Sequence, residues 1–332
     1  MLWLFVIVVL AGAAAVYMVI GPNTGDMKDN YLYIRTGATY ADVQRSLKEG
    51  GFIKNMTTFN MVAERANYPA KVKAGKYRIS KGMSNYSIVR RLRNGDQEPV
   101  KLVINKLRTE QDLVRLVSKN LEADSAQLYA LLNDDTFLSE FGLDDNTAMA
   151  AILPDTYEFW WNTSADKALR KLAKYYTDYW TEERKQKAAA KNLTPQQVVT
   201  LASIVDEETN KNDEKGNMAS VYLNRLKTGM PLQADPTVKF AVGDFTIRRI
   251  GGAHLQNPSP YNTYKYKGLP PGPICTPSKK SIEAVLNAPE TKYIYFCAKE
   301  DFSGYHRFAS NYNEHMQNAR LYQKALNERN IR

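Results

Sequence analysis

Histidine and cysteine are scarce in this chain: three histidines (His254, His306, His315) and two cysteines (Cys275, Cys297) in 332 residues. Neither their number nor their spacing fits a metal-ligand pattern, so no metal centre is expected, and nothing points to an organic cofactor. The two cysteines leave two readings open, a bridge in an oxidising compartment or a pair of packed thiols. Low-complexity tracts and internal repeats are absent, which argues against a disordered chain or a repeat array. No lysine or arginine precedes the first apolar run, so the positive-inside rule has little to act on there. The net charge is +10, but the basic residues are dispersed and no nucleic-acid-binding motif accompanies them. Nucleic acid is not expected as a partner. Most of these charges read as solvated surface, with a weak attraction to anionic polymer or lipid headgroups as the functional alternative.

What is present is enough hydrophobic residue, 44%, for a real core, in a chain longer than one typical domain. Leu2 to Ile20 is an uninterrupted uncharged run, close to the ~20 residues that cross a bilayer. A cleavable signal peptide competes, because Ala11 to Ala15 offers small residues for cleavage. The run continues through Val16 to Ile20, beyond a usual signal core, and this favours an uncleaved anchor over residues 1–21. A buried core helix would show a polar face, and this run has none.

Gly21 to Asn30, GPNTGDMKDN, reads as a short polar stretch, of which 22–30 form the linker after the anchor. Tyr31 to Arg35 alternates as a strand; Thr39 to Glu49 and Thr57 to Arg65 are helices; Lys76 to Ser80 is a strand. Ser84 to Asn94 is a helix closed by Gly95, and Val100 to Ile104 another strand. Together, 31–104 make a compact α+β unit. Thr109 to Asn133 is expected to be helical, and Asp166 to Ala190 a long basic helix whose Tyr175, Tyr176, Tyr179 and Trp180 serve packing. These fill a helical connecting region, 105–190. A larger mixed α/β lobe, 191–332, follows, with a second helix at Met218 to Lys227 and a strand pair around Tyr293 to Cys297 and His306 to Phe308.

That lobe is organised around Thr194 to Thr209, TPQQVVTLASIVDEET. Thr194 is a natural N-cap, Pro195 suits the first turn, and Gln197 closes a capping box. Val198, Leu201, Val205 and Glu208 fall at spacings of three, four and three, one helix face that ends in a carboxylate. Glu207 follows the polar line of Thr200 and Ser203, and Asp206 lies at the margin. Only Glu208 continues the apolar stripe. A carboxyl held among apolar neighbours has its charged form disfavoured, and the raised pKa suits a general acid near neutrality. The plainer alternative is an amphipathic helix whose acidic end reaches solvent.

Further blocks follow in fixed order: LPDTYEF from Leu153, ASVYLNRLKTGMPLQADPTV from Ala219, SPYNTYKYKGLPPGPICTPS from Ser259 and YIYFCAKEDFSGYHRF from Tyr293. With the VDEET helix they resemble the endolytic murein transglycosylase, or YceG-like, family, from about residue 30 onward and most densely from Leu153 to Phe308. The resemblance implies a LysM-like subdomain over 31–104 and a catalytic lobe with a lysozyme-like cleft over 191–332. It also implies a single-pass protein of the cytoplasmic (inner) membrane, catalytic part on the outer, cell-wall side. Its substrate would be peptidoglycan glycan strands, with peptidoglycan synthases as partners. The implied reaction breaks the MurNAc–GlcNAc β-1,4 bond inside strands without water and leaves 1,6-anhydro ends. A single carboxyl suffices, in contrast to the pair of ordinary glycoside hydrolysis.

The family's catalytic glutamate, the second acid of an IVEKET-like motif, aligns with Glu208. Here the first acid of the motif is Asp206 and the intervening basic residue has become Glu207. Repulsion among three adjacent acids is expected to raise the Glu208 pKa further. The family's IPEG-like turn is replaced by INKLRT, Ile104 to Thr109. By resemblance Gln233 and Asp235, on a loop fixed by Pro236, line the cleft; the local alternative is an Asx-type turn capped by Asp235. Tyr261, Asn262 and Tyr264 resemble a cleft wall. Asp155 and Tyr157 are candidates for its rim, with a capping Asp as the alternative. Asn224 and Arg225 are substrate-binding candidates, although an Arg on a helix surface is usually structural. GLPPGPI, Gly268 to Ile274, reads as a rigid loop. Two other functions remain: a water-using muramidase with Asp235 or Asp206 as second carboxylate, and a non-catalytic wall-binding scaffold.

Overall fold

The computed structural model describes residues 1–329; the last three residues assigned above to the catalytic lobe lie outside it. The fold is α+β and divides into two compact units. The first comprises Met1–Leu102, Val117–Asp124 and Tyr157–Ser164. Its elements are α1 (Leu2–Ile20), β1 (Tyr31–Ile34), α2 (Tyr40–Glu49), α3 (Met56–Arg65), β2 (Gly75–Arg78), α4 (Asn85–Asn94) and the start of β3 (Val100–Ile104).

Strands β1 and β2 pair antiparallel from Tyr31 opposite Arg78 to Ile34 opposite Gly75. Their inward residues Leu32, Ile34 and Tyr77 meet Val43 and Leu47 of α2, Phe59 of α3 and Ile88 and Leu92 of α4 in one core. The caps follow local chemistry. Thr39 and Ser84 each form a capping box, and α4 ends on Gly95 at φ 80°, a left-handed turn that suits glycine. Helix α1 buries no residue and has a mean hydropathy of 2.6, and it is the one helix among the described residues long and apolar enough to cross a membrane.

The polar linker expected at 22–30 is corrected. Asn23 is only 7% exposed; its amide donates to the Asn55 carbonyl (2.9 Å) and Asn85 Oδ1 (2.6 Å), while its Oδ1 accepts from the Asn55 N–H. Pro22 and Thr24 bridge to Ser84 and Ile53. A polar segment is thus part of the unit because Asn23 ties Asn55, the N-cap residue of α3, to Asn85, the first residue of α4.

The second unit comprises Val103–Leu116, Ser125–Thr156 and the chain from Ala165 onward. In chain order the elements after β3 are α5 (Glu110–Asn120), α6 (Ser125–Leu132), α7 (Asp135–Ser139), β4 (Asp155–Phe159), α8 (Ala165–Tyr179) and α9 (Glu182–Ala190). They continue with α10 (Pro195–Glu208), α11 (Lys215–Lys227), α12 (Asp235–Val242), α13 (Lys279–Leu286), β5 (Tyr295–Ala298), β6 (His306–Ala309) and α14 (Tyr312–Glu328). β3 pairs with β4, and β5 with β6 antiparallel.

Both long helices expected in 105–190 are broken, and that region is divided between the units rather than forming one connection. Between α5 and α6, the Glu122 N–H donates to the Trp161 carbonyl (2.7 Å) and its carboxylate accepts from Thr36, so tertiary bonds take this residue out of the helix. Between α8 and α9, Trp180 turns inward at 4% exposure and Thr181 caps the next helix. Tyr176 and Trp180 are buried against each other, as packing residues. Cys275 and Cys297 are both free thiols.

Candidate active site

Helix α10 begins as its sequence dictates, with Thr194 and Gln197 exchanging both bonds of the capping box. It is buried all round from Val198 to Asp206 rather than along one stripe. Burial of its polar line is possible because Thr200 donates to the Gln196 carbonyl and Ser203 to that of Thr200, leaving no hydroxyl unpaired. Helices α11, α12 and α13 pack around it. Its C-terminal turn therefore brings three acids to the inside of the unit.

Their environments differ. Asp206 is 6% exposed. Lys215 Nζ lies 2.6 Å from its Oδ1 and Lys106 Nζ 3.0 Å from Oδ2, and Ser278 and Ser281 also donate to it. Burial alone would raise its pKa, but these partners hold it at about 2. Glu207 is likewise opposed by burial yet lowered by Arg108 (2.9 Å) and Lys106 (2.9 Å). Glu208 has no ion pair among the described residues. Burial pushes its pKa up to about 7, with the nearby Asp235 charge adding to the rise. Opposing it are a hydrogen bond of 2.6 Å from the buried Tyr222 hydroxyl and the charges of Lys239 and Arg225. The repulsion expected from Asp206 and Glu207 is not the cause, because lysine and arginine neutralise both.

Glu208 opens into a cavity of about 400 Å³ that also holds Gln233, Asp235 and Tyr264. The loop expected around Asp235 is the first turn of α12, with Pro236 in a position that needs no N–H. Asp235 does not cap a turn; it accepts a 2.5 Å hydrogen bond from the Tyr264 hydroxyl, which joins two of the expected residues. Gln233 has φ 50° and donates its N–H to the Thr263 carbonyl, so a left-handed residue turns the chain into the site.

Of the other expected residues only Arg225 lines this cavity; Asn262, Tyr261, Asn224, Asp155 and Tyr157 do not. Asn262 is fully buried, donating to the Leu255 and Asn257 carbonyls and accepting from the Tyr264 N–H; it shapes the wall from behind. Tyr261 packs on Phe240 at 4.7 Å, and burial pushes its pKa up to about 12. Asn224 donates to the Thr291 and Tyr293 carbonyls. It borders a larger cavity of about 740 Å³ on the opposite face of α11, lined partly by Pro270 and Pro271 of the GLPPGPI loop. Glu208 lines the smaller cavity and not this larger one. Asp155 is held at about 2 by bonds from Lys279 (2.5 Å) and Tyr175, with the Thr156 N–H adding to them. Tyr157 is buried at 4% exposure. Arg225, also buried, donates to the Ile294 and Leu232 carbonyls and has Tyr295 beside it, so it is structural and also part of the cavity.

Tyr222 escaped the sequence reading although it lies within the ASVYLNRLK block. Its signal was available: a tyrosine on the apolar side of a buried helix, with Met218 four residues before it, needs a partner for its hydroxyl. Tyr295, Phe296, Tyr312 and His315 also line the cavity unannounced. Three residues of Asp206's network, Lys215, Ser278 and Ser281, were equally unread.

The arrangement sets one carboxyl that holds its proton near neutrality beside a hydrogen-bonded Asp–Tyr pair in the same open cavity. The family model described as YceG-like matches residues 32–321, and the chain belongs to the YceG-like family. It is 28% identical over 314 residues to a Bacillus subtilis protein named endolytic murein transglycosylase, covering 89% of this chain and 85% of that one. A Streptococcus pneumoniae protein of the same name is 28% identical over 320 residues, covering 86% of this chain but 57% of the longer relative. The crystal structure of a yceG-like protein from Listeria monocytogenes matches with a TM-score of 0.59 and 27% identity over 86% of this chain and 97% of that one.

Proposed function

We propose that this protein is an endolytic murein transglycosylase, a lyase that cuts peptidoglycan strands internally, with Glu208 as its acid and base. The observation that carries this is the protonated-near-neutral Glu208 carboxyl opening into a cavity, beside two acids that lysine and arginine keep ionised. Relatives over most of the chain bear the same name.

In the proposed cycle, Glu208 gives its proton to the oxygen of the MurNAc–GlcNAc bond as that bond breaks. It then takes the proton of the muramic C6 hydroxyl as that oxygen bonds to C1. The acid is regenerated, no water is consumed, and the product end is a 1,6-anhydro sugar. Asp235, held by Tyr264, is the residue placed to respond to positive charge at C1, and Gln233 to hydrogen-bond a sugar hydroxyl. Such cuts trim or terminate growing strands, which makes peptidoglycan synthases the natural partners.

Helix α1 acts as a single-pass anchor in the cytoplasmic membrane and leaves both units on the wall side, in keeping with its length, apolarity and wholly unburied surface. The 31–104 stretch is read as a LysM-like subdomain and the Glu208 cavity as a lysozyme-like cleft. A water-using muramidase is the second reading, favoured only by Asp235 sharing the cavity; Asp206 is too enclosed and too tightly paired to serve as its base. Mass spectrometry of digested sacculi decides: anhydro ends, one water lighter than hydrolysed ends, are expected. Reducing ends alone would transfer the assignment to the hydrolase. No digestion by correctly folded protein would leave the wall-binding scaffold.

A further inference from the structure

One wall of the Glu208 cavity is built from residues that the proposed cycle does not use. Helix α14 runs for seventeen residues, Tyr312–Glu328, buries none of them and packs on β5 and β6. Its first turn sends Tyr312 and His315 to the cavity, where they meet Tyr295 and Phe296 of β5. His315 stacks on Tyr295 with ring centroids 5.1 Å apart and planes at 19°, and Tyr312 meets Tyr295 edge-on at 6.1 Å. The Arg225 guanidinium lies 5.6 Å from the same Tyr295 ring, so that ring is held by neighbours on more than one element.

Two features have no packing explanation. Tyr312 is a large aromatic left 60% exposed at the cavity. His315 Nδ1 is enclosed without a hydrogen-bond partner, a costly state for a ring nitrogen. Burial, reinforced by the Arg225 charge, lowers the His315 pKa, so the imidazole is uncharged near pH 7 and offers one donor and one acceptor. Exposed aromatic surface beside unused hydrogen-bonding capacity suits a ring with an apolar C–H face and hydroxyls at its edge.

We propose that Tyr295, Tyr312 and His315 form a sugar subsite beside Glu208, the tyrosines packing against a pyranose ring and His315 hydrogen-bonding its hydroxyls. The subsite rests on the reading that this cavity takes a glycan. It makes the start of α14 a determinant of substrate affinity rather than a terminal appendage.

The test uses the full chain in detergent, carrying Glu208→Gln to stop turnover, and uncrosslinked peptidoglycan strands as the probe. Adding Tyr312→Ala or His315→Ala should weaken strand binding by about tenfold, the order set by losing one aromatic contact face. Tyr312→Phe, which keeps the ring, should bind within about twofold of its parent. In the active protein, Tyr312→Ala should raise KM by a similar factor with kcat little changed, the pattern of lost uniform binding. Strand binding unaffected by Tyr312→Ala overturns the subsite, and failure of the Glu208→Gln parent to bind strands overturns the glycan reading with it. Turnover by that parent would instead count against Glu208 as the acid, while the binding ratios still decide the subsite.

Discussion

The stability of Glu208→Gln as a function of pH tests the central carboxyl without relying on substrate. An unfolded glutamate ionises near 4.5, whereas Glu208 in the folded protein ionises near 7. Its folded pKa is the higher of the two, so the native state binds the proton more tightly. The resulting stability is complete below about pH 4.5 and is lost as pH rises through about 7. At about 1.4 kcal/mol per pH unit, that gap sets an upper limit of about 3 kcal/mol. The carboxyl borders an open cavity and water screens part of the cost, so about half of that limit is the working expectation. The amide is nearly isosteric, still accepts the Tyr222 hydroxyl through its oxygen and has no proton to lose. Wild type and variant should therefore melt at nearly the same temperature at pH 4.5. At pH 8.5 the variant should melt higher by roughly 3–6 °C for a domain of this size, while it fails to cleave strands. Thermal unfolding of the detergent-solubilised chain across that range is the measurement. A difference that stays constant with pH, or a variant less stable than wild type at pH 8.5, would show that Glu208 is an ordinary carboxylate.

Two further substitutions probe the groups around it. Tyr222→Phe removes the donor that favours the charged form, so the alkaline limb of kcat/KM, which begins near pH 7, should move up by about one pH unit; an unmoved limb in a folded variant would remove Tyr222 from the site. Lys215→Met leaves Asp206 buried with a weakened set of partners, and should cost about 3–5 kcal/mol in denaturant unfolding. Combining it with Asp206→Asn should recover much of that loss, and a double variant no better than the single one would mean the pair is not coupled.

Much of the fold was legible because local chemistry and tertiary structure agree. Thr39, Ser84 and Thr194 each start a helix where a side chain can take the first free N–H, and all three form capping boxes. Reading failed where a distant residue overrides the local preference. Glu122 leaves a helical pattern because Trp161 and Thr36 claim its hydrogen bonds, and Asn23 leaves a linker because two helix starts need it. At the site, helical spacing set Glu208 apart from its two acidic neighbours, and the resemblance aligned it with the family's catalytic glutamate. The residues behind it were harder to see: Asn262 carries the mark of a polar cleft residue, yet spends its side-chain bonds holding the wall.

The two departures from the family pattern are one feature. INKLRT and VDEET stand about a hundred residues apart, and in the sequence each is a separate local departure. In the folded chain Lys106 and Arg108 from the first meet Asp206 and Glu207 from the second, at 2.9 to 3.0 Å. That match explains how three consecutive acids at a buried helix end are tolerated: two are compensated by cations, and the remaining one stays near half-protonation. It also explains why the expected like-charge effect within the triplet does not operate, since a carboxylate already paired exerts little net repulsion on its neighbour. The distinction among Asp206, Glu207 and Glu208 is therefore set less by the helix that carries them than by Lys215 of α11 and the turn within four residues of β3, which together pair the first two with cations and leave the third without an ion pair among the described residues.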